Sequence, residues 1–199
     1  MNTIELIDRL EQDKSLQKEE WIHVIEDDSE ENRKYAAEKA RALGDAYYGK
    51  EIFVRGLIEF TNYCKNDCYY CGIRCSNKKA NRYRLSEEDI LACCEEGDRL
   101  GFRTFVLQGG EDPYYTDDKI VDIVREIKRR YPEHAVTLSI GERERESYER
   151  FFAAGADRYL LRHETANDTH YRKLHPESMS LSYRKQCLRD LKEIGYQTG

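Results

Sequence analysis

From residue 51 onward the chain alternates short runs of β-forming residues with segments of helical period, four times in a row. No other feature narrows the fold as far, because consecutive strand–helix units build a parallel sheet with helices packed on it. The strand runs fall at 52–60, 104–107, 135–140 and 158–161. They are short and almost continuously apolar, as expected of strands buried on both faces. The helical segments fall at 86–100, 117–130, 145–154 and 183–194. Ser86 is placed to cap the first of these, and Ile120, Ile123, Val124 and Ile127 share one face of the second. RLGFRT, AAGADR and EIGYQT each close a helix with glycine before the next strand, a weak internal repeat.

A complete eight-unit βα barrel takes about 250 residues. The part of this 199-residue chain after position 50 suffices for about half of one. The expected fold class is therefore α/β: a partial, half TIM-type (β/α) barrel, truncated at Gly199 before the fifth strand, with its last strand an open edge. Two domains are expected, a helical extension over 1–50 and the partial barrel over 51–199. In the extension Ile4, Leu6, Ile7 and Leu10, and then Trp21, Ile22 and Ile25, recur at helical spacing. Tyr35, Ala36, Lys39, Ala40 and Leu43 suggest a further helix stopped by Gly44. Packing is the role expected of this segment.

A net charge of −6 argues against nucleic acid as a partner, since phosphate binding wants a basic surface. No apolar run approaches the roughly 20 residues that span a bilayer. The start, MNTIELIDRLEQDK, lacks the basic and apolar regions of a secretory signal. A soluble cytoplasmic protein without membrane or nucleic-acid partners is expected. The seven cysteines are an odd number, and four of them lie between positions 64 and 75. Clustered thiols in such a chain point to metal rather than to a disulfide framework.

The cluster begins Cys64-Lys-Asn-Asp-Cys68-Tyr-Tyr-Cys71, directly after the first strand run. Three thiolates on one loop can hold three irons of a [4Fe–4S] cluster and leave the fourth open to a small molecule. A zinc site is the alternative, but structural zinc takes four protein ligands in separated pairs. Cys75 could supply a fourth ligand, yet no second pair follows. Cys75, Cys93, Cys94 and Cys187 read as small apolar residues. After the second strand stands Gln108-Gly109-Gly110-Glu111, whose glycines allow close backbone approach and whose glutamate offers an acceptor to an ammonium group. Thr137 and Ser139 end the third strand, and Arg162, His163 and Glu164 the fourth. In parallel barrels the C-terminal strand ends form the ligand-binding rim. Taken singly, each of these residues, and Arg184 with them, also suits a turn or a solvated surface.

The spacing C-x3-C-x-aromatic-C resembles the signature of the radical S-adenosylmethionine (SAM) superfamily, and QGGE resembles its GGE motif. RGLIEFTNYCKNDCYYCGIR, RYRLSEEDI, VLQGGEDPYY, VTLSIGE, ADRYLLRHETAN and LKEIGYQTG together resemble the [FeFe]-hydrogenase maturase HydE family, from about Phe53 to the end. RYLLRHETAN and GGEDPYY are the discriminating pieces against biotin synthase and methylornithine synthase.

The resemblance implies a [4Fe–4S] cluster held by Cys64, Cys68 and Cys71. It implies SAM held by Glu111, Ser139, Glu164 and Arg184, with Gly109 and Gly110 in its contact motif and Tyr70 near the adenine. Thr137, Arg158 and Arg162 would face the interior cavity. Cys75 stands where such relatives often carry Arg. The implied chemistry is reductive cleavage of SAM to a 5′-deoxyadenosyl radical, in service of hydrogenase H-cluster maturation. Implied partners are a low-potential electron donor (ferredoxin or flavodoxin), the sister maturation proteins and a small organometallic iron substrate. The alternatives are a methylornithine-synthase-type mutase or sulfur-insertion enzyme on the same scaffold, and an iron–sulfur module without SAM chemistry.

Overall fold

A computed structural model describes all residues from Met1 to Gly199. It divides into two compact units, Met1–Phe53 and Val54–Gly199. The first unit holds three helices, α1 (Thr3–Asp13), α2 (Lys18–Glu26) and α3 (Glu30–Tyr48). Asn2 and Glu5 form a capping box at the start of α1, and Ser29 accepts from the Asn32 N–H at the start of α3. Gly44 does not stop α3, which runs on to Tyr48 and ends at Gly49. An interior glycine costs a helix only about 1 kcal/mol, and the helix formers around it outweigh that.

The second unit is a five-stranded parallel sheet in sequential order, β1 (Gly56–Thr61), β2 (Thr104–Gly109), β3 (Ala135–Ser139), β4 (Arg158–Tyr159) and β5 (Gln197–Thr198). Its helices are α4 (Glu87–Arg99), α5 (Asp117–Arg130), α6 (Arg145–Ala154), α7 (Asp168–Leu174) and α8 (Leu181–Ile194). The chain thus enters a fifth strand, pairing Arg158 with Gln197 and Tyr159 with Thr198, rather than ending short of one. Residues 52–55, expected to open the first strand, pair with no neighbour and leave Ile52, Phe53 and Val54 exposed. The glycines of the repeat act alike. Gly101, Gly155 and Gly195 all have φ near or above +90° and turn the chain from a helix towards the next strand.

Ser86 and Asp89 cap α4 reciprocally, Thr116 caps α5 and Ser180 caps α8. Ile120, Ile123, Val124 and Ile127 of α5 are all buried, as their spacing requires. The outward face of the sheet packs Ile58, Phe60, Phe105, Leu107, Val136, Leu138 and Tyr159 beneath the helices. Phe60 meets Tyr115 edge-to-face at 4.6 Å, and Tyr159 lies between Tyr148 and Tyr196.

The expectation of two buried faces holds at the centres of β2 and β3, where Phe105–Leu107 and Val136–Leu138 are buried throughout, and fails at β1. The register aligns Glu59, Gln108 and Ser139 across three strands, and Leu57, Val106, Thr137, Arg158 and Gln197 across five. Leu57 is 55% exposed and Glu59 is open to solvent, so β1 alternates in burial where a fully covered strand would not. The polar row Glu59, Gln108 and Ser139 lies at the C-terminal end of the inward face, and this end positions the site.

Candidate functional site

The three cysteines sit on the long connection that leaves β1 and reaches α4. Cys64, Cys68 and Cys71 are partly buried free thiols. Burial pushes the Cys64 thiol up and raises Cys68 to about 11, with the neighbouring cysteine sulfurs adding to both. That mutual influence places the three within electrostatic reach of one another. The raised Cys64 and Cys68 thiols keep their protons at neutral pH, so binding metal to them displaces protons.

Backbone and side-chain bonds hold the loop without metal. Lys65 N–H donates to the Glu111 carbonyl at 3.0 Å, and Cys75 N–H to the Asn66 carbonyl at 2.9 Å. Arg82 spreads its guanidinium over the carbonyls of Asn62, Ile73, Arg74 and Asn77. Tyr69 N–H donates to the Leu174 carbonyl at 2.9 Å, which packs α7 against the loop. Met179 places its sulfur 3.6 Å from that of Cys68. Sequence reading missed both Arg82 and α7. Only the arrangement of carbonyls gives the arginine its role, and α7 is a short polar helix with no apolar stripe.

The GGED turn divides its two acids. Gly110 lies so close to the cysteine loop that a Cβ there would stand 2.1 Å from the Tyr63 carbonyl and 2.7 Å from Cys64 Cβ. The motif's glycine is therefore required by packing against this loop. Glu111 is buried; its Oε1 accepts from the Glu142 N–H at 3.0 Å, and its Oε2 has no hydrogen-bond partner. Lys65 Nζ stands 3.2 Å from Oε2 but out of hydrogen-bonding alignment. A buried carboxylate oxygen with a free lone pair is an acceptor held in reserve. Gly141 makes room for Glu111: its φ is +79°, and a Cβ there would lie 2.1 Å from Glu111 Cγ. Asp112 turns the other way. It accepts from Arg84 Nε and Nη2 at 2.7 and 2.8 Å and from the Thr61 hydroxyl at 2.7 Å.

Arg184 is buried, not a surface charge. Its Nε donates to Glu142 Oε1 and its Nη1 to the Arg162 carbonyl, both at 2.5 Å. Glu142, absent from the sequence-based candidates, thus ties Arg184 to the strand ends while its N–H holds Glu111. Glu164 adopts φ +62°, a left-handed backbone that a non-glycine residue enters at some cost. Tyr70 is half exposed and donates to His175 Nε2 at 3.2 Å. His175 is buried with its Nδ1 3.0 Å from the Tyr171 carbonyl, which can only accept, so the proton sits on Nδ1 and Nε2 is left to receive the phenol.

A cavity of about 380 Å³ opens on the inward face, lined among others by Gly109, Ser139, Gly141, Arg162, Glu164 and Arg184. Thr137 is buried one layer below Ser139 with its hydroxyl unpartnered. Arg158 bonds Gln197 Oε1 at 2.6 Å and Thr104 Oγ1 at 3.3 Å. The remaining cysteines differ among themselves: Cys94 and Cys187 are buried in the core, whereas Cys75 and Cys93 are exposed. No three of the protein's histidine, cysteine, aspartate and glutamate side chains converge closely enough to hold a single metal ion.

A parallel βα sheet that presents a three-thiol loop and a glycine-flanked acid at adjacent C-terminal strand ends defines a half-barrel of the cofactor-binding kind. The sequence profile of the Radical SAM superfamily matches residues 58–199, and the chain belongs to that superfamily of enzymes, whose members bind a [4Fe–4S] cluster and SAM. It is 52% identical over 153 residues to the [FeFe] hydrogenase maturase subunit HydE of Thermotoga maritima, covering 77% of this chain and 43% of that protein. It is 33% identical over 171 residues to 3-methylornithine synthase of Methanosarcina acetivorans, covering 85% of this chain and 48% of that one. Among solved structures, the [FeFe]-hydrogenase maturase HydG matches 99% of the chain with TM-score 0.85 at 25% identity, over 45% of its own length. Methylornithine synthase matches 97% with TM-score 0.81 at 30% identity, over 57% of its own length. The chain spans about half the length of the relatives it matches.

The residues present fit both cofactors. Three free, partly buried thiols on one loop suit three irons of one cluster, whereas the fourth cysteine of the loop, Cys75, is exposed. Glu111 Oε2, which accepts no hydrogen bond although Lys65 Nζ stands 3.2 Å away, suits the amine of a ligand seated beside the thiols.

Proposed function

We propose that this chain is the cluster- and SAM-binding portion of an HydE-type radical SAM enzyme that serves maturation of the [FeFe]-hydrogenase H-cluster. The observation that supports this best is the junction of the two motifs: the Cys64–Cys71 loop is pinned to Glu111 by the Lys65 N–H, and Glu111 keeps an unpartnered oxygen there. Cys64, Cys68 and Cys71 hold the cluster. Glu111 accepts from the SAM amine, Arg184 faces its carboxylate, and Ser139 and Glu164 bind from the rim. Tyr70, fixed by His175, flanks the adenine. Thr137, Arg158 and Arg162 line the interior that receives a small organometallic iron substrate. When bound, the two cofactors supply one chemical service, the one-electron cleavage of the sulfonium that yields a 5′-deoxyadenosyl radical. This chain's residues orient SAM and keep solvent from the rim.

The domain reading, 1–50 as a packing extension and 51–199 as the catalytic partial barrel, belongs to the same proposal. So do a cytoplasmic location, a low-potential electron donor and the sister maturation proteins as partners. No helix is long and apolar enough to cross a membrane.

The test is anaerobic reconstitution followed by iron and sulfide analysis, then SAM and dithionite with quantitation of 5′-deoxyadenosine. A cluster near four irons per chain and product formation are expected; a chain that binds no cluster sinks the proposal. The fit to methylornithine synthase over 97% of the chain favours a second reading, a mutase on this scaffold. Formation of 3-methylornithine without any stimulation of hydrogenase maturation would select it.

A further inference from the structure

The loop that bears the three cysteines continues into a strongly cationic segment. Between Gly72 and Arg84 stand Arg74, Lys78, Lys79, Arg82 and Arg84 and no acid, in a chain of net charge −6. Two of these five are spent on the fold. Arg84 is paired with Asp112, and Arg82 is half-buried among loop carbonyls. The other three keep their charge. Arg74 Nη1 donates to the Cys71 carbonyl at 3.0 Å and Lys78 Nζ to the Cys75 carbonyl at 3.4 Å, bonds that neutralise nothing. Lys78 and Lys79 are exposed. The segment 62–84 holds one carboxylate, Asp67, which feels the Arg74 charge and offsets one cation, so the surface stays net positive.

We propose that Arg74, Lys78 and Lys79 form the docking surface for an acidic electron-donor protein. The inference rests on the function proposed above, which requires one electron from outside for every SAM cleaved. The step is a bare electron transfer: the donor is oxidised, the cluster is reduced, and no bond or proton moves. The chain's net charge of −6 disfavours approach of an acidic protein in general, so a local cationic patch selects both the partner and its orientation. The position is favourable for transfer, because Arg74 touches the backbone of the ligand Cys71 itself. A partner seated on this patch is therefore seated next to the cluster.

The test uses the full chain and an acidic bacterial flavodoxin. Binding of oxidised flavodoxin to the chain as isolated, which needs no cluster, should weaken steadily as ionic strength rises from about 20 to about 300 mM. Lys78→Glu with Lys79→Glu should weaken it by about 10-fold or more at low salt. Lys79→Glu alone should do measurably more than Lys192→Glu, an equal charge change on the exposed side of α8. In the reconstituted protein, stopped-flow reduction by flavodoxin hydroquinone should fall in parallel, while reduction by dithionite stays at the wild-type rate. Salt-independent binding, or a double variant that binds and is reduced like wild type, overturns the proposal. Failure of dithionite to reduce any cluster, with the patch dependence of binding intact, would instead count against the radical SAM function and leave the docking surface standing.

Discussion

Replacing Asp112 by Asn tests whether the second acid of the GGED turn is a structural partner rather than part of the ligand site. Its side chain is 1% exposed and receives two bonds from Arg84, one from Thr61 and one from the Tyr114 N–H at 3.0 Å. The Arg84 guanidinium is held between the rings of Tyr63 and Tyr114, 3.9 and 4.9 Å from their centroids, so it meets the carboxylate already oriented. Removing one end of a fully buried ion pair costs about 3–5 kcal/mol. Arg84 retains 35% exposure and can partly rehydrate, which puts the expected loss near the lower limit, about 3 kcal/mol. With a urea dependence of about 2–3 kcal/mol per molar, the unfolding midpoint should drop by about 1 M.

The pH dependence gives an independent check. Burial pushes the Asp112 carboxyl up, but Arg84, Thr61 and the Tyr114 N–H together hold it below the usual carboxylate range. A depressed folded-state pKa means that the stabilisation is complete above the unfolded value of about 4 and is lost as pH falls through the folded value. The gap between wild type and Asp112→Asn should thus be constant from neutral pH down to about 5 and close below about 4. A midpoint shift under about 0.3 M at pH 7, or a gap that persists undiminished at pH 3, would refute this account of the turn.

Cys64→Ala, Cys68→Ala and Cys71→Ala should each lose most of the reconstituted iron, whereas Cys75→Ala should keep it, read by iron and sulfide content. Glu111→Gln preserves shape but removes the charge offered to the SAM amine; its SAM affinity should fall by about 10-fold, the loss expected of a charge-assisted hydrogen bond weakened by about 1–2 kcal/mol, while cluster content is unchanged. Gly141→Ala forces a side chain into a left-handed backbone at φ +79° and into Glu111, so it should destabilise the fold by about 1–3 kcal/mol in urea denaturation and weaken SAM binding as well. Arg184→Met should unseat both Glu142 and the Arg162 carbonyl, and equilibrium dialysis should show SAM binding reduced more than by a change at the exposed Arg189.

What could be read from the sequence was local. The alternation of strand and helix shows within a few residues, and so do the three left-handed glycines and the spacing of Cys64, Cys68 and Cys71. Each follows from backbone geometry or from thiol chemistry on one short loop. What could not be read depends on distant pairs. Glu142 reaches Glu111 across 31 residues and Arg184 across 42, and Tyr70 meets His175 across 105. Arg184 shows why such pairs stay hidden. An arginine in the first turn after a helix-capping serine looks like a solvated charge, and only the return of α8 to the Glu142 carboxylate and the Arg162 carbonyl buries it. Glu142 is hidden for a further reason: its role is divided, with the backbone N–H serving Glu111 and the carboxylate serving Arg184, and neither half has a sequence pattern. The rim is therefore one connected unit, in which the acid expected to meet the SAM amine and the arginine expected to meet its carboxylate are oriented through a single residue. Glu142→Gln removes the charge that Arg184 meets and leaves the backbone N–H that holds Glu111, so its loss of SAM affinity should resemble that of Arg184→Met; an affinity equal to wild type would show that Arg184 is oriented without the Glu142 carboxylate.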